Sequence, residues 1–191
     1  LTVFEDGTWT FVPQIVNNPA GGPLSSDFTY TVTDRDGDTS TSTQTINVMD
    51  TLPTVAIPDV TINESELDSA SSITVDLPIT VSDEVDAVSA IVFSDQAAVD
   101  LTDLGLTSGG ENISFVLTPE GKLEGRKPDG TPVLLLEIDS IGTDPKIVVS
   151  LHQPLDQSAD SIILTIPLTV TDTDSTQQLS FDLEITDDVP T

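Results

Sequence analysis

The chain has 191 residues, with 5 basic and 33 acidic side chains, a net charge of −28 and no cysteine. A field of that sign repels nucleic acid and anionic membrane surfaces. The lack of cysteine excludes both a disulfide framework and a thiolate metal site. No stretch approaches the ~18 apolar residues of a membrane-spanning helix, so no membrane insertion is expected. The hydrophobic share is an ordinary 37%, so the chain is expected to fold despite its charge. Self-repulsion must then be offset, and divalent cations are the simplest means. The sequence opens mid-pattern at Leu1 with no leader-like stretch, so a piece of a longer polypeptide is expected.

In chain order, Phe28, Tyr30 and Val32 alternate with Thr29, Thr31 and Thr33. That period of two predicts a half-buried strand. An acidic turn with Asp34, Asp36, Gly37 and Asp38 follows. Further strands are expected over residues 73–81, 112–117, 133–138 and 147–151, and a short helical turn over residues 97–106. Then Ile162, Leu164, Ile166, Leu168 and Val170 share one strand face. Leu179, Phe181, Leu183 and Ile185 repeat the pattern against Ser180, Asp182, Glu184 and Thr186. Proline and glycine punctuate the gaps. Many short strands with regular turn signals indicate an all-β sandwich.

Residues 29–54 and 167–191 echo each other. Each holds a strand ending in Thr-Val-Thr-Asp, an acidic turn, a second strand, and a close on Asp50–Thr51–Leu52–Pro53–Thr54 or Asp187–Asp188–Val189–Pro190–Thr191. Asp34 corresponds to Asp172 and Pro53 to Pro190, an offset of about 138 residues that suggests one module length. The expected organisation is tandem modules, residues 1–53 and residues 54–191. The first is incomplete, because it can supply fewer than the roughly seven strands of a sandwich.

Five motifs in order resemble a known family. They are Gly121–Lys122–Leu123–Glu124–Gly125, then Pro128–Asp129–Gly130–Thr131–Pro132–Val133, then Leu151–His152–Gln153–Pro154–Leu155–Asp156, then Thr169–Val170–Thr171–Asp172–Thr173–Asp174, then Asp187–Asp188–Val189–Pro190–Thr191. Together they look like the long type I secretion target repeat of giant RTX adhesins of Gram-negative bacteria. Residues 1–53, with Glu5–Asp6–Gly7–Thr8–Trp9–Thr10–Phe11 and Asp34–Arg35–Asp36–Gly37–Asp38, resemble the C-terminal half of a related Ig- or cadherin-like module. Some such adhesins split this module around an inserted ligand-binding domain. The resemblance implies Ig-like sandwiches, calcium within or between modules, and an extracellular adhesin on the bacterial cell surface that takes part in biofilm. The chain is expected to be a monomer whose partners are the neighbouring modules of the same polypeptide. The second copy departs from the pattern, since Asp172–Thr173–Asp174–Ser175 lacks the glycine and the third aspartate of the first.

Two acidic constellations are candidate calcium sites. Asp34, Asp36 and Asp38 stand at alternate positions around Gly37, and hard cations take about six to eight oxygens, several of which a tight acidic turn supplies. The EF-hand spacing is not met, since Thr39 and Thr45 occupy its glycine and glutamate positions. A solvated hairpin turn would use the same residues. Asp172 and Asp174 form the corresponding turn. The second constellation lies at the linkers, where Asp50 precedes Pro53, and Asp187 and Asp188 precede Pro190. Glu64, Glu66, Asp83, Glu84 and Asp86 are loop acids that would complete such sites; plain surface charge is the alternative.

Catalytic signals are poor. His152 is the one histidine, and neither a phosphate loop nor a zinc-protease motif occurs. With one Trp and one Tyr, the chain offers few platforms for a sugar. Lys122, Arg126, Lys127 and Lys146 fall in one stretch, where local pairing with acids is the plain reading. The expected function is a non-enzymatic, calcium-stiffened structural extender that spaces or holds a ligand-binding domain. The rival is that the segment itself is a glycan- or peptide-binding adhesion module.

Overall fold

The computed structural model describes residues 1–4, 6–12, 23–49, 52–82, 87–139, 144–173 and 175–187. The fold is all-β. It falls into two compact units, one of Leu1–Leu52 with Thr173–Ser175, the other of Pro53–Asp172 with Thr176–Thr191.

In the first unit, β1 (Thr2–Val3) pairs with β2 (Trp9–Thr10), and β3 (Leu24–Thr33) pairs antiparallel with β4 (Thr39–Val48). Phe28, Tyr30 and Val32 share one face of this ribbon, but the face is not the half-buried one expected: Phe28 is partly covered, while Tyr30 and Val32 are 42% and 59% exposed, because among the described residues β3 and β4 pair only with each other. The other face is a ladder of hydroxyls, with Thr29 and Thr43 bonded at 3.2 Å, Thr31 and Thr41 at 3.1 Å, and Thr45 donating to Asp27 at 2.7 Å. Such cross-strand pairs each add a few tenths of a kcal/mol, up to about 1.

The second unit begins with β5 (Thr54–Ala56), β6 (Val60–Asn63), a 3-10 turn at Glu64–Asp68, β7 (Ile73–Pro78), β8 (Thr80–Ser82) and β9 (Ala90–Phe93). Helix α1 (Ala97–Asp103) and the short strands β10 (Thr107–Ser108) and β11 (Glu111–Asn112) follow. Then come β12 (Ser114–Leu117), β13 (Leu123–Arg126), β14 (Pro132–Asp139), β15 (Lys146–Leu151), β16 (Ser161–Thr171) and β17 (Thr176–Thr186). One sheet has the order β12-β13-β14-β15-β7 and the other β6-β17-β16-β9. The two sheets enclose one core, which makes this unit a sandwich.

Alternation decides which residues face that core. On β16, Leu164, Ile166, Leu168 and Val170 are buried, while Ile163 and Thr165 are exposed. Ile147, Val149 and Leu151 of β15 are buried from the opposite sheet. Each side chain so buried contributes about 1.5–3 kcal/mol. Pro167 sits mid-strand without an N–H, where a proline would normally cost a ladder bond. The cost is avoided because β9 ends there: Phe93 faces Leu168, and the next residue, Ser94, donates its N–H to the Pro167 carbonyl at 3.0 Å.

Two expected strands are interrupted. The 73–81 run breaks at Ile79, whose N–H turns to the Pro145 carbonyl at 2.8 Å. The 112–117 run breaks at Ile113, whose N–H goes to the Leu106 carbonyl at 2.8 Å. The expected helical turn forms as α1, with Ala97 and Leu101 buried. In the Gly121–Gly125 motif, Gly125 faces Phe115 across β12 and β13, and a Cβ there would lie 2.7 Å from the Phe115 ring. Only glycine leaves room for that ring.

Candidate metal centre

The tip of the β3–β4 ribbon is the best-formed acidic constellation. Thr33 and Thr39 are the last paired residues. Between them the Asp34 N–H donates to the Asp38 carbonyl at 2.9 Å, and the Gly37 N–H to the Asp34 carbonyl at 3.3 Å. Gly37 has φ 98°, a left-handed conformation that glycine takes without steric cost. The Asp34 Oδ1 accepts from the N–H groups of Asp36 (3.2 Å), Gly37 (3.1 Å) and Asp38 (2.9 Å). A hydrogen bond with the Asp36 side chain, then these backbone N–H groups, hold the Asp34 carboxyl below its usual range. The turn therefore keeps a negative charge at its centre.

Asp34, Asp36 and Asp38 each offer an oxygen, and these oxygens lie within 4.8 Å of one another. Two oxygens bound to one calcium at ~2.4 Å can be no more than about 4.8 Å apart. The three carboxylates are exposed, so water can fill the remaining positions. The donor set is all hard oxygen, which suits calcium rather than a softer metal. Among the described residues this is the one group of three acids so arranged.

The other candidates stand apart from it or lie outside the described residues. Glu64 opens the 3-10 turn, is 2% exposed, and its Oε1 accepts from the Leu155 N–H at 2.8 Å. It thus ties the turn to the Leu151–Asp156 motif. Glu66 is exposed on the same turn. Asp172 is 3% exposed, and its carbonyl accepts from the Ser89 hydroxyl at 2.8 Å. The corresponding Asp34 is exposed, so the two turns differ in environment as well as in sequence. The Asp187 N–H donates to the Asp160 carbonyl at 3.0 Å. Asp50, Asp83, Glu84, Asp86, Asp174 and Asp188 lie outside the described residues.

Three of the four basic residues of that stretch pair with acids. Lys122 meets Glu137 at 2.9 Å, Arg126 meets Glu124 at 2.6 Å, and Lys146 meets Asp76 at 2.8 Å. Surface pairs of this kind contribute about 0–1 kcal/mol each.

Two features lie outside the sequence expectations. Asp156, quoted only as part of a motif, receives the N–H groups of Gly109 (2.8 Å) and Gly110 (2.7 Å) and so ties down the β10–β11 turn. The second feature is a groove of about 320 Å³ in the first unit, lined by Val3, Phe4, Trp9, Phe28, Tyr30 and Gln44 among others. Trp9 meets Phe28 edge-on at 5.9 Å, and Phe28 lies 6.3 Å from Tyr30. The signal was there: the one Trp and the one Tyr fall in the same short module.

No family model, curated protein or solved structure matches the chain. The likeness to adhesin repeats rests on the motifs alone.

Proposed function

We propose that this chain is a calcium-stiffened structural segment of a secreted bacterial surface adhesin, with Ig-like modules that hold a ligand-binding domain at a distance. The observation that carries this reading is the convergence of Asp34, Asp36 and Asp38 within 4.8 Å at the tip of a ten-residue ribbon. An ion there would join the two strand ends at their turn and neutralise part of a −28 charge. The motif order in residues 54–191 supports the adhesin context. The test is a calcium titration by calorimetry on the wild type and on Asp36→Ala. Binding heat in the wild type that Asp36→Ala abolishes supports the site; equal heat in both, or none in either, removes it.

A second reading has its own observation. The groove beside Trp9, Phe28 and Tyr30 presents aromatic faces that a glycan or an apolar peptide could stack on. In that case the segment is itself an adhesion module. A glycan and peptide array, probed with the wild type and with Trp9→Ala, separates the two readings: signal lost in the variant favours the adhesion module.

A further inference from the structure

The start of the second unit runs alongside its last strand in the same direction. β6 pairs parallel with β17, Val60 facing Leu183, Thr61 Glu184, Ile62 Ile185 and Asn63 Thr186. Side-chain bonds reinforce the seam and extend it towards the start of β17. The Pro53 carbonyl accepts from the Gln177 side chain at 2.6 Å, and Asp59 accepts from the Asp182 N–H at 2.9 Å. Thr61 donates to Glu184 at 3.1 Å, and Thr186 to the Ile62 carbonyl at 3.4 Å. Ile62 and Ile185 seat the seam in the core at 2% and 0% exposure.

The consequence is mechanical. The chain enters at Pro53, beside the start of β17, and leaves after Thr186, beside the end of β6. Opposed pulling on these two points loads the β5–β8 pair, which lies between Pro53 and β6, and slides β6 along β17, so the bonds across the seam share the load and fail together. A pair of strands pulled apart at one end instead loses its bonds one at a time. A parallel pair is slightly weaker per residue at equilibrium than an antiparallel one, so equilibrium stability alone does not explain this edge. We propose that the β6–β17 seam is a force clamp that makes the second unit a tension-bearing module. The purpose of the clamp rests on the spacer reading; its mechanics do not.

The chain has no cysteine, so introduced pairs define the pulling points. In the full chain, Leu52→Cys with Asp187→Cys loads the seam lengthwise. Asp160→Cys with Asp187→Cys opens the β16–β17 pair from its free end. At one loading rate, the lengthwise pair should rupture at a several-fold higher force, since forced unfolding reports the unfolding barrier along the pulled direction. Thr61→Val and Asp59→Ala should lower the lengthwise force and leave the end-opening force unchanged. Equal forces in the two wild-type geometries overturn the clamp, whatever the variants do. Repeating the comparison with chelator keeps the two proposals apart. A lengthwise excess that persists without calcium supports the clamp even if the calorimetry fails. Equal forces with calcium binding intact overturn the clamp and leave the spacer reading standing.

Discussion

In the second unit Phe93, Phe115 and Phe181 are 1%, 5% and 2% exposed, whereas in the first unit Phe4, Trp9 and Tyr30 remain 42–47% exposed. Similar residues meet opposite fates because the second unit has two sheets to close over them. Among its described residues the first unit has only two-stranded pairings. A lone two-stranded ribbon is marginally stable in water at best. The order of the first unit's described residues rests on its strand pairing and cross-strand side-chain bonds, while the second unit draws its order from burial.

That contrast can be broken by experiment, and the chain carries its own reporter. Trp9 and Tyr30 are the only residues of their kinds, so their emission follows the first unit alone. The largest effect is expected from Leu164→Ala, which empties a fully buried core position and should cost about 2–5 kcal/mol in denaturant unfolding followed by circular dichroism. Val32→Ala, at a position 59% exposed, should cost less than about 0.5 kcal/mol. Comparable losses at the two sites would erase the distinction. Next, calcium at 100 times its Kd should stabilise the first unit by about 2.7 kcal/mol, seen as a shifted Trp9 emission transition. Asp36→Ala should remove the shift. Gly125→Ala forces a methyl group to 2.7 Å from the Phe115 ring and should cost about 1–3 kcal/mol in the second unit, with Trp9 emission unmoved. The smallest effect concerns acid. The Gly110 N–H first, then Thr107 and Gly109, hold the Asp156 carboxyl below its usual range. A folded pKa below the unfolded value of about 3.9 adds stability above that value and loses it as pH falls through the folded one. Asp156→Ala should therefore cost about 1 kcal/mol or less at pH 7, and the gap to wild type should close in strong acid. A gap that widens on acidification would contradict the tether.

Sequence reading found the strands with the longest runs of alternating side chains, whether or not one face is buried. β16 and β17 extend beyond the alternating residues that announced them, and β3 and β4 form the strand–turn–strand read from the first echo copy. It did not find the breaks at Ile79 and Ile113, because both keep the apolar alternation while the chain changes partner strand, from β15 to β5 at Ile79 and from β10 to β13 at Ile113. The acidic turn was legible because Asp34, Asp36, Gly37 and Asp38 are consecutive enough for backbone geometry to gather them. Glu64 was not legible as a buried tie, since its partner, the Leu155 N–H, is far away in the chain. Asp156 was hidden for the same reason.

The open ribbon has a consequence for how copies of the chain meet. β3 and β4 pair only with each other among the described residues, and each has an outer edge able to template another strand. Between molecules, that tendency is opposed by the repulsion of two bodies that each carry −28. The repulsion reaches about 8 Å at physiological ionic strength and about 3 Å in molar salt. Colloidal behaviour is thus set by the electrolyte: dilute buffer keeps the edges apart, and concentrated brine lets them approach.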